Sequence, residues 1–364
     1  MYNMNITIIA GARPNFMKIA PLTRAIHSAQ EAGHDIRFRL VYTGSEADKS
    51  LEPSLFHDLD MPRPDVFLGV ESSDFFERMG GILIAFARDL EQHPTDLVIV
   101  VDDMTPTMAC SLVAKKKGLK VAHLVAGIRS FDMDMPKELN RMITDGLSDY
   151  LFTAGMVANR NLNQTGTEQA NVHFVGNLLM DALRYNYHRF VRPQEMDTWQ
   201  LDDHKYVLLT LNRRALLEDG EKLKSLFDTI FAKVGNLPII VPVHEYVEKR
   251  LETLGISSPN LHLLAPQSYL LFGYWVSHAA AIITDSGNIA EEATFLGIPC
   301  ITLNRYAEHP ETVTMGTNCL VGDSPEELAE ALEIWRKGEW KSGSLPERWD
   351  GRAAERIVQT LLDL

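Results

Sequence analysis

Three cysteines in 364 residues, Cys110, Cys300 and Cys319, exclude a disulfide framework. None stands in a CxxC pair, and His123, His244, His278 and His309 fall into no ligand spacing, so no metal site is expected. Positive charge is also scarce, since 35 Lys+Arg against 49 Asp+Glu leave a net charge of −14. Nucleic acid and anionic membranes reward Lys/Arg clusters, so neither is expected as the main partner. No stretch reaches the roughly 18 apolar residues of a membrane span. The opening MYNMNITIIAGARPNF lacks the basic start and long apolar run of a signal peptide. A soluble, cytoplasmic protein is predicted.

Hydrophobic residues at 45% and charged residues at 23% give an ordinary globular composition. At roughly 100–200 residues per domain, two domains are expected, each able to bury a core. Short apolar, β-branched runs recur, each followed by a helical pattern. The first set is Asn5–Ala10, Phe38–Thr43, Leu97–Val101, Leu119–Leu124, Leu151–Thr153 and Val172–Val175. The second is Tyr206–Thr210, Pro238–Val243, Leu261–Leu264, Ala281–Thr284, Pro299–Leu303 and Cys319–Val321. Unbroken apolar runs mark strands covered on both faces, as in parallel sheets. The fold class predicted is α/β, with two Rossmann-like, doubly wound domains facing across a cleft. Polar, aromatic and Pro residues in Arg184–Trp199 interrupt the rhythm and place the boundary. The expected domains are residues 1–185 and 186–348, with 349–364 forming a helix that packs back on the first.

Two strand ends carry anion chemistry. Gly11-Ala12-Arg13-Pro14 leaves the first strand, and Pro14 suits a first helical turn. Arg13 and Lys18 then stand near a helix N-terminus, whose N–H groups favour an anion. The pattern is not GxGxxG, and a plain strand–helix turn with solvated bases remains open. Later, Ala281–Thr284 runs into Asp285-Ser286-Gly287-Asn288, where Ser286 can cap a helix and Gly287 lets a phosphate approach. Glu292 on that helix could accept ribose hydroxyls, although a capping box explains the same letters. Asp103 and Arg129, each just past a strand, are expected to point into the cleft, with an N-cap the plainer role for Asp103. Asp132-Met133-Asp134 matches a metal-holding DxD, but a loop is the favoured reading.

Gly11-Ala12-Arg13-Pro14, the segment HLVAGIRS (His123–Ser130), Pro136-Lys137-Glu138-Leu139-Asn140-Arg141, Val175-Gly176-Asn177 and Thr284–Glu292 occur in that order. Leu296-Gly297-Ile298-Pro299, Glu308-His309-Pro310-Glu311 and Gly316-Thr317 follow. This set resembles the non-hydrolysing UDP-N-acetylglucosamine 2-epimerases over nearly the whole chain. The resemblance implies a GT-B-like fold, a homodimer, a UDP-sugar substrate and no cofactor. It also implies a reaction in which UDP is eliminated as the C2 proton leaves, then re-added after reprotonation on the other face. By resemblance, Arg13, Lys18, Phe272, Ser286, Gly287 and Glu292 match nucleotide-binding positions, and Asp103 a catalytic carboxylate. Arg129, Asn212, Arg213, His244, Asn288 and His309 are expected to join the UDP site, and Glu138 to be the second catalytic carboxylate.

The chain departs from that family where protons move. Val125 replaces a glutamate, Lys137 another, and Asn212 a histidine. Ser45-Glu46 alters positions associated with a second, regulatory sugar-nucleotide site, and His309 stands for an arginine. Valine cannot exchange protons, Asn does not titrate near neutral pH, and a lysine ammonium is a poor base there. General acid–base groups contribute about 10²–10⁴-fold each. An epimerase, a UDP-sugar-binding paralogue without turnover, and a glycosyl transferase on the same scaffold therefore all remain open.

Overall fold

The computed structural model describes residues 4–364. The chain divides into two compact units, Met1–Tyr185 with Glu347–Leu364, and Asn186–Pro346. The first holds β1 (Met4–Ala10), β2 (Ile36–Tyr42), β3 (Val66–Phe67), β4 (Leu97–Val101), β5 (Lys120–Leu124), β6 (Tyr150–Thr153) and β7 (Val172–Phe174). They form one sheet in the order β3-β2-β1-β4-β5-β6-β7. All of its pairs are parallel. The second unit holds β8 (Val207–Thr210), β9 (Ile239–Pro242), β10 (Leu261–Leu264), β11 (Ala281–Thr284), β12 (Cys300–Thr302) and β13 (Asn318–Leu320). Their order is β10-β9-β8-β11-β12-β13, again wholly parallel.

The unbroken apolar runs behave as their composition dictates. β4 and β8 are buried along their whole length, covered on both faces by helices. All twelve strands read from the sequence are present, and the fold is α/β with two doubly wound sheets. β3 is the one strand the reading missed. At two residues on the sheet edge, beside Pro62 and Pro64, it is too short for any periodicity.

The last segment closes the first unit. Trp349 is 1% exposed, and its indole Nε1 donates to the Ala154 carbonyl at 2.9 Å. Gly176 has φ +101°, and a Cβ there would collide with the Arg348 carbonyl oxygen, so no other residue fits. The terminal helix Ala353–Leu362 packs on the helix Arg13–Glu31. Its first turn is held by Asp181, whose carboxylate accepts from the Ala353 and Ala354 amides at 3.0 and 2.8 Å. Among the described residues, no helix is long and apolar enough to cross a membrane, and no group of His, Cys, Asp or Glu could hold a metal ion. Cys110 and Cys300 are buried and Cys319 is half-buried, all as free thiols.

Candidate functional site

In doubly wound sheets, ligands bind beyond the carboxyl ends of the strands, where the strand order reverses. In the first unit that point lies between β1 and β4. β1 runs into Gly11, where a Cβ would lie 2.6 Å from that of Pro106, so glycine lets the two segments touch. Asn15 Oδ1 accepts from the Gly11 and Ala12 amides at 2.9 and 3.1 Å and sets the turn into the helix. Arg13 opens that helix and donates from Nε to Glu52 Oε2 at 2.8 Å. Lys18 is almost fully buried, with Nζ 2.6 Å from Asp102 Oδ1, and Asn15 Nδ2 donates to Asp102 Oδ2 at 2.8 Å.

Asp103, just past β4, sits between two cations. Its Oδ2 lies 2.6 Å from Arg141 Nη2, and its Oδ1 3.2 Å from Lys137 Nζ. Burial works against ionisation, yet the charges of Lys137 and Arg141 prevail and hold the carboxyl below the usual carboxylate range. Three non-glycine residues at this end of the sheet have left-handed backbones: Asp102 (φ +61°), Val125 (φ +66°) and Phe131 (φ +60°). Such strain costs about 1–3 kcal/mol per residue and concentrates at functional sites. For the β-branched Val125, which follows β5 directly, it is a genuine outlier.

Two expected site residues have other tasks. Arg129 was expected in an open cleft, but its side chain is 4% exposed, with Nη1 2.6 Å from Asp145 Oδ2. The Asp145 carboxylate on the helix Pro136–Leu147 and the Ile128 carbonyl, 2.7 Å away, hold it inward, so it braces the fold. Glu138 is 1% exposed and accepts from Ser130 N, Ser130 Oγ, Phe131 N and Arg141 Nη1 at 2.8, 2.9, 3.3 and 3.2 Å. Burial disfavours its charge, but the hydrogen bonds from Ser130 and Arg141 win and hold its pKa low. A carboxylate so engaged pins the loop before its helix.

In the second unit the order reverses between β8 and β11. Asp285, just past β11, accepts from the Asn212 and Arg213 amides, both at 2.7 Å, and so ties the two strand ends together. Burial outweighs those bonds and pushes its pKa up. Arg213 Nη1 reaches Asn304 Oδ1 at 3.3 Å, while Asn304 donates to the Asp285 carbonyl at 2.9 Å. The helix Gly287–Leu296 starts here with Ser286 at its N-cap, and the hydroxyl makes no cap hydrogen bond. This removes the capping box as the reason for the motif. A Cβ at Gly287 would meet only the Glu308 carboxylate, at an ordinary 3.5 Å, so the fold does not demand glycine. Asn288 and Glu292 lie half-buried on the same helix.

His309 is buried, with Nε2 3.8 Å from Glu291 Oε1, and lines a small recess of about 20 Å³ with Gly287, Asn304 and Tyr306. His244 is exposed before the helix Glu245–Thr253, its ring stacked 6.4 Å from that of Tyr246. Phe272 packs against the unit's apolar core. A wider cavity of about 720 Å³ opens at the amino ends of β1, β2, β4, β5 and β6, the opposite edge of the first sheet, and contains none of these residues. Sequence reasoning missed Glu52, His123 and Arg141, because an ion pair partner 39 residues away leaves no local pattern.

The family model of UDP-N-acetylglucosamine 2-epimerase matches residues 28–362. A UDP-N-acetylglucosamine 2-epimerase from Methanocaldococcus jannaschii is 34% identical, over 98% of this chain and 99% of the relative. A UDP-2,3-diacetamido-2,3-dideoxy-D-glucuronate 2-epimerase from Pseudomonas aeruginosa is 30% identical, over 99% of this chain and the whole relative. The crystal structure of M. jannaschii UDP-GlcNAc 2-epimerase in complex with UDP-GlcNAc and UDP is similar, with a TM-score of 0.86. It is 34% identical, covering 99% of this chain and all of that one. The chain belongs to the UDP-N-acetylglucosamine 2-epimerase family.

Proposed function

We propose that this protein binds a UDP-N-acetylhexosamine and inverts its C2 centre, interconverting UDP-GlcNAc and UDP-ManNAc or a related UDP-sugar pair. The observation that carries the reading is the Asp103 carboxylate, kept ionised by Arg141 and Lys137 at a strand-order reversal. A carboxylate there takes the C2 proton. The C2 electron pair forms the C1=C2 bond as the C1–O bond to UDP breaks, and UDP re-adds as C2 takes a proton from solvent on the opposite face. Oxidation state is conserved, so the route calls for no redox partner. The Gly287–Leu296 helix, with its uncapped Ser286 and its sterically unneeded Gly287, suits the diphosphate, and Glu292 the ribose. Arg13 and Lys18 are the matching basic groups of the first unit.

A second reading is favoured by Val125, an apolar side chain on a strained backbone at the position of a family glutamate. In that reading the protein binds the UDP-sugar and turns it over slowly or not at all. Proton NMR with UDP-N-acetylglucosamine in D₂O separates them. Loss of the C2 proton signal supports inversion, whereas UDP binding by calorimetry without exchange leaves a binding protein. Absence of UDP binding overturns both. Restoring Val125→Glu, Lys137→Glu and Asn212→His should raise exchange by about 10²–10⁴-fold if lost proton carriers are the impediment.

The reading extends to a cytoplasmic homodimer that supplies an activated sugar for polysaccharide assembly. Helices Phe75–Gln92, Thr105–Lys116 and Pro136–Leu147 pack side by side in the first unit. They expose Phe76, Ile84, Leu112, Leu139 and Met142. Exposed apolar side chains on three adjacent helices support pairing with a second copy.

A further inference from the structure

His123 lies in β5 with its side chain 2% exposed. Its Nε2 is 2.8 Å from the Asp102 carbonyl oxygen, and its Nδ1 2.7 Å from Asp145 Oδ1. A carbonyl oxygen only accepts, so Nε2 carries a proton. Asp145 Oδ2 accepts from the Arg129 guanidinium at 2.6 Å and the Gly127 amide at 3.2 Å. Burial opposes ionisation, but the bonds and charges of His123 and Arg129 hold the carboxyl below its usual range, so Asp145 is a carboxylate that only accepts. Nδ1 therefore carries a proton as well. The ring is an imidazolium, buried beside Asp145, Asp102 and Arg129. Burial alone favours the neutral form, but the contacts to Asp145 and Asp102 raise the ring's pKa.

This cation joins the two sides of the Asp103 ion pair. On one side is the turn after β4. Asp102 sits at φ +61°, a backbone conformation unfavourable for a non-glycine residue. Its amide donates to Leu124 O at 3.2 Å, its carboxylate holds Lys18 and Asn15, and its carbonyl is held by His123. On the other side is the helix Pro136–Leu147, which carries Lys137, Arg141 and Asp145 together. Through Asp145, His123 anchors the helix that presents both cations to Asp103. Through the Asp102 carbonyl, it anchors the turn from which Asp103 projects.

We infer that His123 is a positioning residue, whose imidazolium locks the Asp102–Asp103 turn and the Pro136–Leu147 helix in the register that sets the Asp103 carboxylate against Arg141 and Lys137. The inference deepens the function proposed above and rests on Asp103 as the group that handles the C2 proton. Two NMR measurements on the full-length protein test it. In ¹⁵N-histidine-labelled wild type, both nitrogens of His123 should be protonated at pH 7 and remain so at pH 8. A neutral ring, or titration near the ordinary histidine value of about 6.5, overturns the inference.

In ¹³C-aspartate-labelled protein, the Asp103 carboxyl signal is identified by its loss in Asp103→Asn. Its titration midpoint should rise in His123→Gln toward the ordinary value of about 3.9. Exchange at C2 should fall about 10²-fold, the scale of a misplaced reacting group. An unmoved Asp103 midpoint in a folded His123→Gln overturns the inference. If that variant does not fold, Asp145→Asn must yield a neutral His123 and the same rise, and failure of either overturns it. If both NMR results hold and the wild type binds UDP without exchange, the positioning role stands and the epimerase reading fails.

Discussion

At the scale of single residues, the site is a set of charges already matched inside the protein. Arg13, the basic group at the start of the Arg13–Glu31 helix and proposed above to meet the diphosphate, is paired with Glu52. Both side chains are about 30% exposed, so the pair adds little to stability, on the order of 0.2–1 kcal/mol. Glu52→Gln should therefore leave the unfolding midpoint almost unchanged. By calorimetry it should tighten UDP by up to about fivefold, the affinity equivalent of that energy. Weaker binding would show that Glu52 orients Arg13 rather than competing for it. The motifs that sit at the two strand-order reversals, Gly11–Lys18 and Asp285–Glu292, were legible in the sequence because contiguous residues build them. His123, Arg141 and Glu52 were not, because each acts through a partner on another element. A histidine in an apolar run reads as core filler until both ring nitrogens are seen to have acceptors.

Whole elements were easier to read than their ends. Continuous apolar runs revealed the strands of both sheets, since burial on two faces forces that composition. Two-residue β3 escaped for want of length, the buried role of Arg129 because position after a strand says nothing of side-chain direction, and that of Glu138 because its loop partners Ser130 and Phe131 lie outside the helix that carries it. The capping of the terminal helix Ala353–Leu362 by Asp181 has a pH consequence. Burial pushes the Asp181 carboxyl up to about 6, despite the Ala354 and Ala353 amides, with Asp350 adding to the rise and Arg356 opposing it. Between about pH 4 and 6 the folded state keeps a proton that the unfolded state, with its pKa near 3.9, has released. This group's contribution to stability therefore declines as pH rises through that window. Asp181→Asn should flatten the dependence there, measured as denaturant midpoints from pH 4 to 7. It should also lower stability by about 1–3 kcal/mol, because an amide can accept from only one of the two backbone N–H groups.

For the molecule as a whole, the net charge of −14 hides local basic groups such as Arg13, Lys18, Lys137 and Arg141, each engaged by an acid. The apolar side chains on the three adjacent helices of the first unit are the complementary surface feature. Ile84, 57% exposed, stands one helical turn from Gly80, where added Cβ atoms would meet nothing within 4 Å. A partner helix could approach closely there. Ile84→Arg should convert a homodimer to a monomer in sedimentation equilibrium, without changing the far-UV circular dichroism. A wild type that sediments as a monomer, or a variant that stays dimeric, removes this face as the contact.

The chain contains five tryptophans, and Trp199, Trp275, Trp335 and Trp340 all belong to the second unit. Trp349, hydrogen-bonded to Ala154 in the first, is the exception. A version with the other four changed to phenylalanine would carry one fluorophore in the first unit. Its emission would shift to the red as the final segment peels away from β6, so melting of that unit could be followed by light alone.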